Sequence, residues 1–496
     1  MMAASIVSGT PLSTLLRDIV MVPPVLERHA ADLTLDSREV CAGTCFIALA
    51  GRHDNGARYA ADAIAKGAIA VLAEQPLRDL RIDVPVLHTP QLRSHLGTIA
   101  NRFFATPSAD LKLCAVTGTN GKTSVAHLLA QAVAALGETA GYIGTLGAGA
   151  LEALTPLVNT TPDVITINRW LARFRDRGCT VAGLEASSHA LAQKRLHGLQ
   201  IHAAAFTNLG HDHLDYHHDF AAYGAAKRRL FEHPKLSAAV INIDDALGFE
   251  IAQAQPASVA LWSCSSRGAR ARLSAIDIIA APTGTQFTLH VDGRQSRIAS
   301  PLIGRFNVDN LLVVCGLLLA KGYGREAIVE ALPKLHGVSG RAEECARTPR
   351  GARVFIDYAH SPDSLTAILA TLRELQPQRI VLVFGCGGNR DRSKRPLMGA
   401  IADRDAEQVI LTADNPRHED PAAIAAEIQA GMQRPRAARV QLDRALAIRE
   451  ALSTAGDGDI VLIAGKGHER TQEINGRLQP FSDHAEIARA VAEMTA

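Results

Sequence analysis

A chain of 496 residues exceeds one ordinary compact core, and length alone divides it into about three domains. Its 52 Lys and Arg against 50 Asp and Glu leave a formal charge of +2, which gives no electrostatic footprint for nucleic acid or an anionic membrane surface. Eight cysteines without a Cys-x-x-Cys pair point to reduced thiols in a cytoplasmic protein, no Lys or Arg precedes Arg17 as in a secretory signal, and the longest apolar stretch, Leu311 to Ala320, is shorter than the ~20 residues of a membrane-spanning helix.

The first block, residues 1–108, joins short strand-like runs such as Cys45 to Leu49 to an alanine-rich helical stretch from Arg58 to Lys66 that stops at Gly67. Thr106-Pro107-Ser108 reads as a linker. The second block, residues 109–336, opens with the apolar run Leu111 to Val116, a glycine-rich turn, and a helical pattern from Ser124 to Leu136. Strand-like runs follow at Val181 to Leu184, Ala203 to Phe206 and Ala238 to Ile243, and Asn307 to Leu319 reads as a buried helix. This alternation predicts a parallel sheet with crossover helices.

The third block, residues 337–496, repeats the alternation with runs at Val354 to Ile356, Ile380 to Phe384, Gln408 to Leu411 and Ile460 to Ala464. Each run leads into a polar or glycine-rich turn, and ligands of open α/β sheets bind at the carboxyl ends of strands. The fold class is therefore α/β in three domains, with a central phosphate-loop parallel-sheet domain and a Rossmann-like carboxyl-terminal domain.

Between strand and helix in the second block stands Thr117-Gly118-Thr119-Asn120-Gly121-Lys122-Thr123-Ser124. Small residues let backbone N–H groups converge on phosphate, Lys122 adds a point charge, and Thr123 reaches magnesium. It is a variant loop, since Val116 stands where the strict pattern has glycine. Glu185 follows one strand and His213 another; both strands can neighbour the loop, and a carboxylate with a threonine hydroxyl suits Mg²⁺. On residue physics alone, Lys227 reads as one more solvated charge.

Thr117 to Thr123, Glu185-x-Ser187-Ser188-His189, Asn208-x-x-x-Asp212-His213-Leu214-Asp215-x-His217, the Ala225-Ala226-Lys227 helix and Gly304 to Asn310 occur in the order seen in Mur ligases, and the chain resembles that family across all three blocks. Leu35-Asp36-Ser37-Arg38 and Gly465-Lys466-Gly467-His468-Glu469 resemble the branch that builds the muramoyl tripeptide. The resemblance implies an ATP-dependent, amide-forming ligase acting through an acyl phosphate, monomeric and cytoplasmic. Its substrates would be UDP-N-acetylmuramoyl-L-Ala-D-Glu, an amino acid and ATP.

It further implies that Leu35, Ser37 and the loop Arg52, His53 and Asp54 contact the uridine nucleotide, and that Asn159, Thr160, Thr161, Ser187, Gln193 and Arg195 line the muramoyl-peptide channel. Gly118 to Ser124, with Asn307, Arg341 and Asp357, would hold ATP. Lys122, Glu185, His213 and Lys227 would be catalytic, with Thr123, Glu185, His213 and a carbamate formed on Lys227 from CO₂ holding Mg²⁺. Asp414-Asn415-Pro416-Arg417 resembles the motif of members that add meso-diaminopimelate, whose second carboxylate suits a planar guanidinium fork; Arg390, Gly465 and Glu469 would complete that pocket. Lysine-adding and folylpolyglutamate-forming ligases, and a phosphate-loop nucleotide switch, are the alternatives.

Overall fold

The computed structural model describes residues 9–51, 55–77, 84–281 and 283–495. The chain folds as two compact units, one made of Met1–Leu113, Thr139–Ala182 and Ala190–His202, the other of Cys114–Glu138, Gly183–His189 and Ala203–Ala496.

The first unit is built on a parallel sheet in the order Asp32–Thr34, Thr44–Ala48, Ala70–Ala73, Val86–His88. Its two middle strands are wholly buried, as expected of parallel strands covered on both faces. The expected helix from Arg58 begins later: a 3₁₀ turn, Gly56–Tyr59, precedes Ala60–Ala65. Thr106-Pro107-Ser108 is not an extended linker. Pro107–Ala109 forms a 3₁₀ turn with Pro107 and Ser108 buried, and the Ser108 hydroxyl accepts from the Gln200 amide at 3.0 Å; the fixed φ of proline suits the first turn of a helix. The helix Val164–Asp176 starts where the Asp163 side chain accepts from Ile165 and Thr166 N–H groups, and it buries Val164, Ile167, Leu171 and Phe174 along one stripe.

The phosphate-loop strand Lys112–Thr117, in the second unit from Cys114 on, lies between Val181–Glu185 and Ala203–Phe206, and the sheet continues through Ala238–Asn242 and Ala260–Ser265. These strands are parallel from Lys112–Thr117 onward, as the alternation predicts. Beyond them three strands, Leu273–Ala281, Gly284–Val291 and Arg294–Ser300, form an antiparallel extension that the sequence reading did not contain. The helix Arg305–Lys321 is apolar on almost every side because it is packed against both the sheet and the helix Lys122–Ala135.

The second sheet of this unit runs Glu343–Arg347, Arg353–Asp357, Ile460–Ala464, Ile380–Phe384, Gln408–Leu411, Arg439–Val440. All its pairings are parallel except that of Glu343–Arg347. Its apolar layers include Phe355, Leu382 and Leu462 on one face and Val354, Val383 and Ile463 on the other. The expected polar turns stand at the carboxyl ends of its strands.

Candidate active site

The phosphate loop turns sharply because two of its residues are glycines in the left-handed region, Gly118 at φ +149° and Gly121 at φ +86°. A Cβ on Gly118 would stand 1.8 Å from Thr207 Oγ1, so the close approach of the neighbouring strand also requires glycine. Thr207 and Asn208 then clamp the loop: Thr207 Oγ1 donates to the Asn120 carbonyl, and Asn208 Oδ1 accepts from the Asn120 amide at 2.9 Å. Lys122 Nζ curls back onto the carbonyls of Gly118 and Thr119, 2.9 Å each. Burial lowers its pKa, against the opposing pull of Glu185 and Asp212.

Thr123 Oγ1 donates to Glu185 Oε2 at 2.9 Å, and Arg341 Nη2 reaches the same hydroxyl at 3.2 Å. Glu185 is fully buried. The sheet order explains the meeting, because adjacent parallel strands bring their carboxyl ends side by side.

Lys227 is not a solvated charge. The helix Phe220–Arg228, capped by Asp219, carries it into the interior, where it is 1% exposed. Its Nζ donates to the Gly118 carbonyl at 2.7 Å and lies 4.3 Å from the centre of the Tyr223 ring. Burial first, and then the charge of Lys122, hold its pKa well below the ordinary lysine value. The amine is thus biased toward its neutral form.

His213 has φ +55° and packs edge-on to His189, ring centres 4.9 Å apart. Burial pushes its pKa down to about 3 although Asp212 pulls the other way, so the imidazole is neutral with a lone pair to offer. Asp212 belongs to the same motif but was not assigned a role from sequence. Its carboxylate is buried and faces His213 at 3.5 Å, His360 at 3.6 Å and Lys394 at 4.0 Å. Burial alone would raise its pKa, and the pairing with His360, His213 and Lys394 brings it well below the usual carboxylate range. The signal lay in the Asp-His dipeptide, but His360 and Lys394 come from segments that follow strands of the carboxyl-terminal sheet.

A cavity of about 340 Å³ opens beside the loop, lined at one end by Asn120, Gly121 and Ser124 and walled by Phe306, Val313 and Ile368, with Arg341 and Asp357 also on its surface. Arg341 stacks over Tyr358 at 4.3 Å. Both Asp357 oxygens accept backbone N–H groups, from Ala342 at 2.6 Å and Ala359 at 2.7 Å, so this carboxylate braces the segment that carries Arg341. Asn307 does not line the cavity; its amide donates to the Ile303 carbonyl and accepts from Asn310. Asn310 lines it instead.

The turns of the carboxyl-terminal sheet gather a second cluster. Asn415 Oδ1 accepts from Lys466 Nζ at 3.1 Å, and Asn415 Nδ2 donates to Glu469 Oε2 at 2.9 Å. Lys466, fully buried, also pairs with Glu469 at 2.8 Å. Burial opposes the charge on Glu469, yet Lys466 and Asn415 keep its pKa below the ordinary glutamate value. Gly465 sits at φ +113°, and a Cβ there would meet Asp414 Oδ2 at 2.4 Å. Pro416 is buried. A Cβ on Gly387 would stand 3.0 Å from Arg417 Nη1 and 3.7 Å from Arg390 Cγ, so both arginines approach this glycine. Arg417 pairs with Glu473 at 3.1 Å, a residue that sequence reading did not single out.

The first unit has its own cavity, about 800 Å³, whose lining includes Leu35, Ser37, Asn159, Gln193 and Arg195. Thr160 and Thr161 are not part of that lining: the Thr160 hydroxyl accepts from Thr145 at 3.2 Å, and the Thr161 carbonyl accepts from Arg195 Nη1 at 2.6 Å. Ser187 belongs to the other unit. Arg52, His53 and Asp54 lie outside the described residues.

Three family profiles match in chain order: "Mur ligase family, catalytic domain" over residues 29–104, "Mur ligase middle domain" over 116–318, and "Mur ligase, glutamate ligase domain" over 340–467. The chain is 46% identical over 486 residues, 98% of each chain, to a UDP-N-acetylmuramoyl-L-alanyl-D-glutamate--2,6-diaminopimelate ligase of Xanthomonas campestris pv. campestris (strain 8004). It is 42% identical over 489 residues, again 98% of each chain, to the protein of that name in Xylella fastidiosa (strain Temecula1). A solved structure of a UDP-N-acetylmuramoyl-L-alanyl-D-glutamate--2,6-diaminopimelate ligase is similar with a TM-score of 0.68 at 36% identity, covering 98% of this chain and 100% of that one. MurF from Acinetobacter baumannii shares the fold, with a TM-score of 0.70 at 18% identity over 98% of this chain and 100% of that one.

Proposed function

The chain belongs to the Mur ligase family, and on that premise we propose that it is the ATP-dependent ligase that joins meso-diaminopimelate to the D-glutamyl carboxylate of UDP-N-acetylmuramoyl-L-Ala-D-Glu in cytoplasmic peptidoglycan precursor synthesis, serving cell shape and division. The observation that carries the amino-acid assignment is the Arg417 guanidinium beside Gly387, which Arg390 also approaches, with Glu469 fixed by Lys466 and Asn415 in the same set of strand-end turns. The diaminopimelate-adding relatives, 42–46% identical over nearly the whole chain, support the same reading. Arg417 takes the second carboxylate, which lysine lacks, and Glu469 accepts from the distal ammonium. In this reading residues 1–108 hold the UDP-sugar, 109–336 ATP and 337–496 the amino acid; three profiles in chain order, over 29–104, 116–318 and 340–467, support a three-part chain.

The D-glutamyl carboxylate attacks the γ-phosphorus of ATP, giving an acyl phosphate and ADP, and the diaminopimelate amine then displaces phosphate to form the amide. Lys122, at the amino end of its helix, neutralises charge gathering on the transferred phosphoryl group, and the Gly118 to Ser124 backbone orients the phosphates. Arg341 ties the loop's Thr123 to the cavity wall.

The donor set fits Mg²⁺: a hydroxyl and a carboxylate already 2.9 Å apart, Thr123 and Glu185, with the imidazole of His213, whose pKa is pushed down, as a neutral nitrogen donor. Among the described residues no three His, Cys, Asp or Glu form a metal cage, and such a cation draws its remaining ligands from phosphate oxygens and water. Thr123, Glu185 and His213 would hold Mg²⁺, which when bound supplies charge neutralisation at the γ-phosphate. Lys227 fits a carbamate because burial favours the neutral amine that reacts with CO₂; the carbamate would add a carboxylate to the same donor set. Among the described residues no helix is long and apolar enough to cross a membrane.

Phosphate release from ATP tests the reading, with UDP-N-acetylmuramoyl-L-Ala-D-Glu as acceptor and meso-diaminopimelate, L-lysine or no amine. Release that requires acceptor and amine and favours diaminopimelate is expected. Equal use of lysine discards the amino-acid assignment, and release indifferent to both substrates leaves a nucleotide switch.

A further inference from the structure

The motif Asp414-Asn415-Pro416-Arg417 is laced to a hairpin formed by Thr471–Ile474 and Arg477–Pro480. Arg417 N–H donates to the Glu473 carbonyl at 3.0 Å, and Asn475 N–H donates back to the Arg417 carbonyl at 2.6 Å. Asn415 Oδ1 accepts from the Glu473 amide at 2.9 Å, and Gln472 Nε2 reaches the Asp414 carbonyl at 2.7 Å. These bonds hold Arg417 at φ +53°, a left-handed conformation uncommon for a residue with a side chain. The same hairpin then presents a carboxylate to the guanidinium it has positioned.

Arg417 Nε lies 3.1 Å from Glu473 Oε2, and Nη1 donates to the Gly388 carbonyl at 2.8 Å. Among the described residues Nη2 has no protein partner. A guanidinium has five N–H donors, so a second carboxylate can dock on the open edge while Glu473 stays on the other.

We propose that Glu473 is the resident counter-ion of Arg417 and a specificity-determining residue: it sets how strongly an amine substrate with a second carboxylate is favoured over one without. This rests on the functional reading above. The Arg417–Glu473 pair is neutral, so an incoming carboxylate meets attraction from one partner and repulsion from the other. An amine lacking that carboxylate leaves Arg417 still paired. A site rejects an analogue hard only when the analogue leaves a polar group of the site unpaired, and Glu473 removes that penalty. The hairpin carboxylate therefore weakens the preference that Arg417 alone would impose, while keeping the fork aimed when no substrate is bound.

The test measures KM and kcat for meso-diaminopimelate and L-lysine in wild type, Glu473→Gln, Glu473→Asp, Arg417→Ala and the Arg417→Ala/Glu473→Gln double variant, with KM for ATP as the check of folding. Glu473→Gln is expected to lower KM for diaminopimelate by about three- to fivefold and to raise it for lysine, the modest size following from a partly exposed pair. Its kcat is expected to stay unchanged, Glu473→Asp to keep the wild-type preference, and Glu473→Gln to have no effect on the preference once Arg417 is alanine. Equal changes for both amines, a higher KM for diaminopimelate, or an effect that survives Arg417→Ala would overturn the proposal and leave Glu473 a brace. A wild-type enzyme indifferent to the amine is a different failure: it removes the functional reading, and this inference with it.

Discussion

Lys227 Nζ donates to the Gly118 carbonyl across 109 residues of sequence, so the buried amine hangs from the phosphate loop itself. The bond places the lysine beside Lys122, whose charge adds to burial in disfavouring a second cation there. A residue that looks like surface charge in the sequence becomes part of the phosphate site through this one contact.

The depressed pKa of Lys227 has a measurable consequence for stability. Folded, Lys227 loses its proton well below the ordinary value of 10.5; unfolded, it keeps that proton up to about 10.4. Between those values the unfolded chain holds more protons, so the penalty on the folded state fades as pH rises. Wild type should gain stability relative to Lys227→Met as pH rises from about 7 to about 10, read from denaturant midpoints at each pH. Identical pH profiles would mean that Lys227 titrates in the folded protein as it does in the unfolded one.

Gly118→Ala forces a Cβ onto Thr207 Oγ1, with the Asn208 amide 3.1 Å away, at a φ that alanine rarely adopts. The loop must shift, and phosphate binding depends on where its N–H groups point. KM for ATP is expected to rise at least about tenfold, which is about 1.4 kcal/mol, while the circular dichroism spectrum keeps its native form. An unchanged KM would mean that the loop does not carry the phosphates.

Asp212→Asn keeps the shape of the side chain and removes the charge that faces His213, His360 and Lys394. His360 lies in the turn after the strand Arg353–Asp357 and Lys394 opens the helix Lys394–Asp405, so the carboxylate ties the phosphate-loop side of its unit to segments that follow strands of the carboxyl-terminal sheet. kcat is expected to fall by about tenfold or more, with KM for ATP altered less than about twofold. A change in KM for ATP alone would instead make Asp212 part of nucleotide binding.

The fully buried ion pair of Arg444 and Asp483, with bonds of 2.7 and 2.8 Å and a third from Arg444 to the Ala464 carbonyl, braces the turn at Gly465. Arg444→Ala leaves a carboxylate buried alone and should cost about 3–5 kcal/mol, seen as a lower urea midpoint at unchanged m. Arg444→Met with Asp483→Leu should recover most of that loss, because no charge is left buried. A double variant no better than Arg444→Ala would show that the pair holds geometry apolar packing cannot replace.

The antiparallel extension shows where reading by period fails. Gly284–Val291 alternates buried and more exposed positions, a period-two signal that was available. Its partner Leu273–Ala281 breaks the alternation with an irregularity between Ile276 and Ile279 and Asp277 at φ +51°, and a bulge erases the pattern that announces a strand. Asn307 illustrates a different limit. A helix turns one side chain in four toward a given wall, and only the packing of Arg305–Lys321 decides that Asn310, three residues on, faces the cavity.

By itself the sequence determined four strands of the central sheet and four of the carboxyl-terminal sheet, the phosphate loop and the strand-end turns, because apolar runs and glycine turns act on near neighbours in the chain. The family likeness of its motifs was legible at the same level. Tertiary structure alone decided that Lys227 is buried, that Asp212 meets His360 and Lys394, and that Glu473 pairs with Arg417. Each of those facts depends on desolvation or charge shared between residues far apart in sequence, and both are set by what packs around a group rather than by what precedes it.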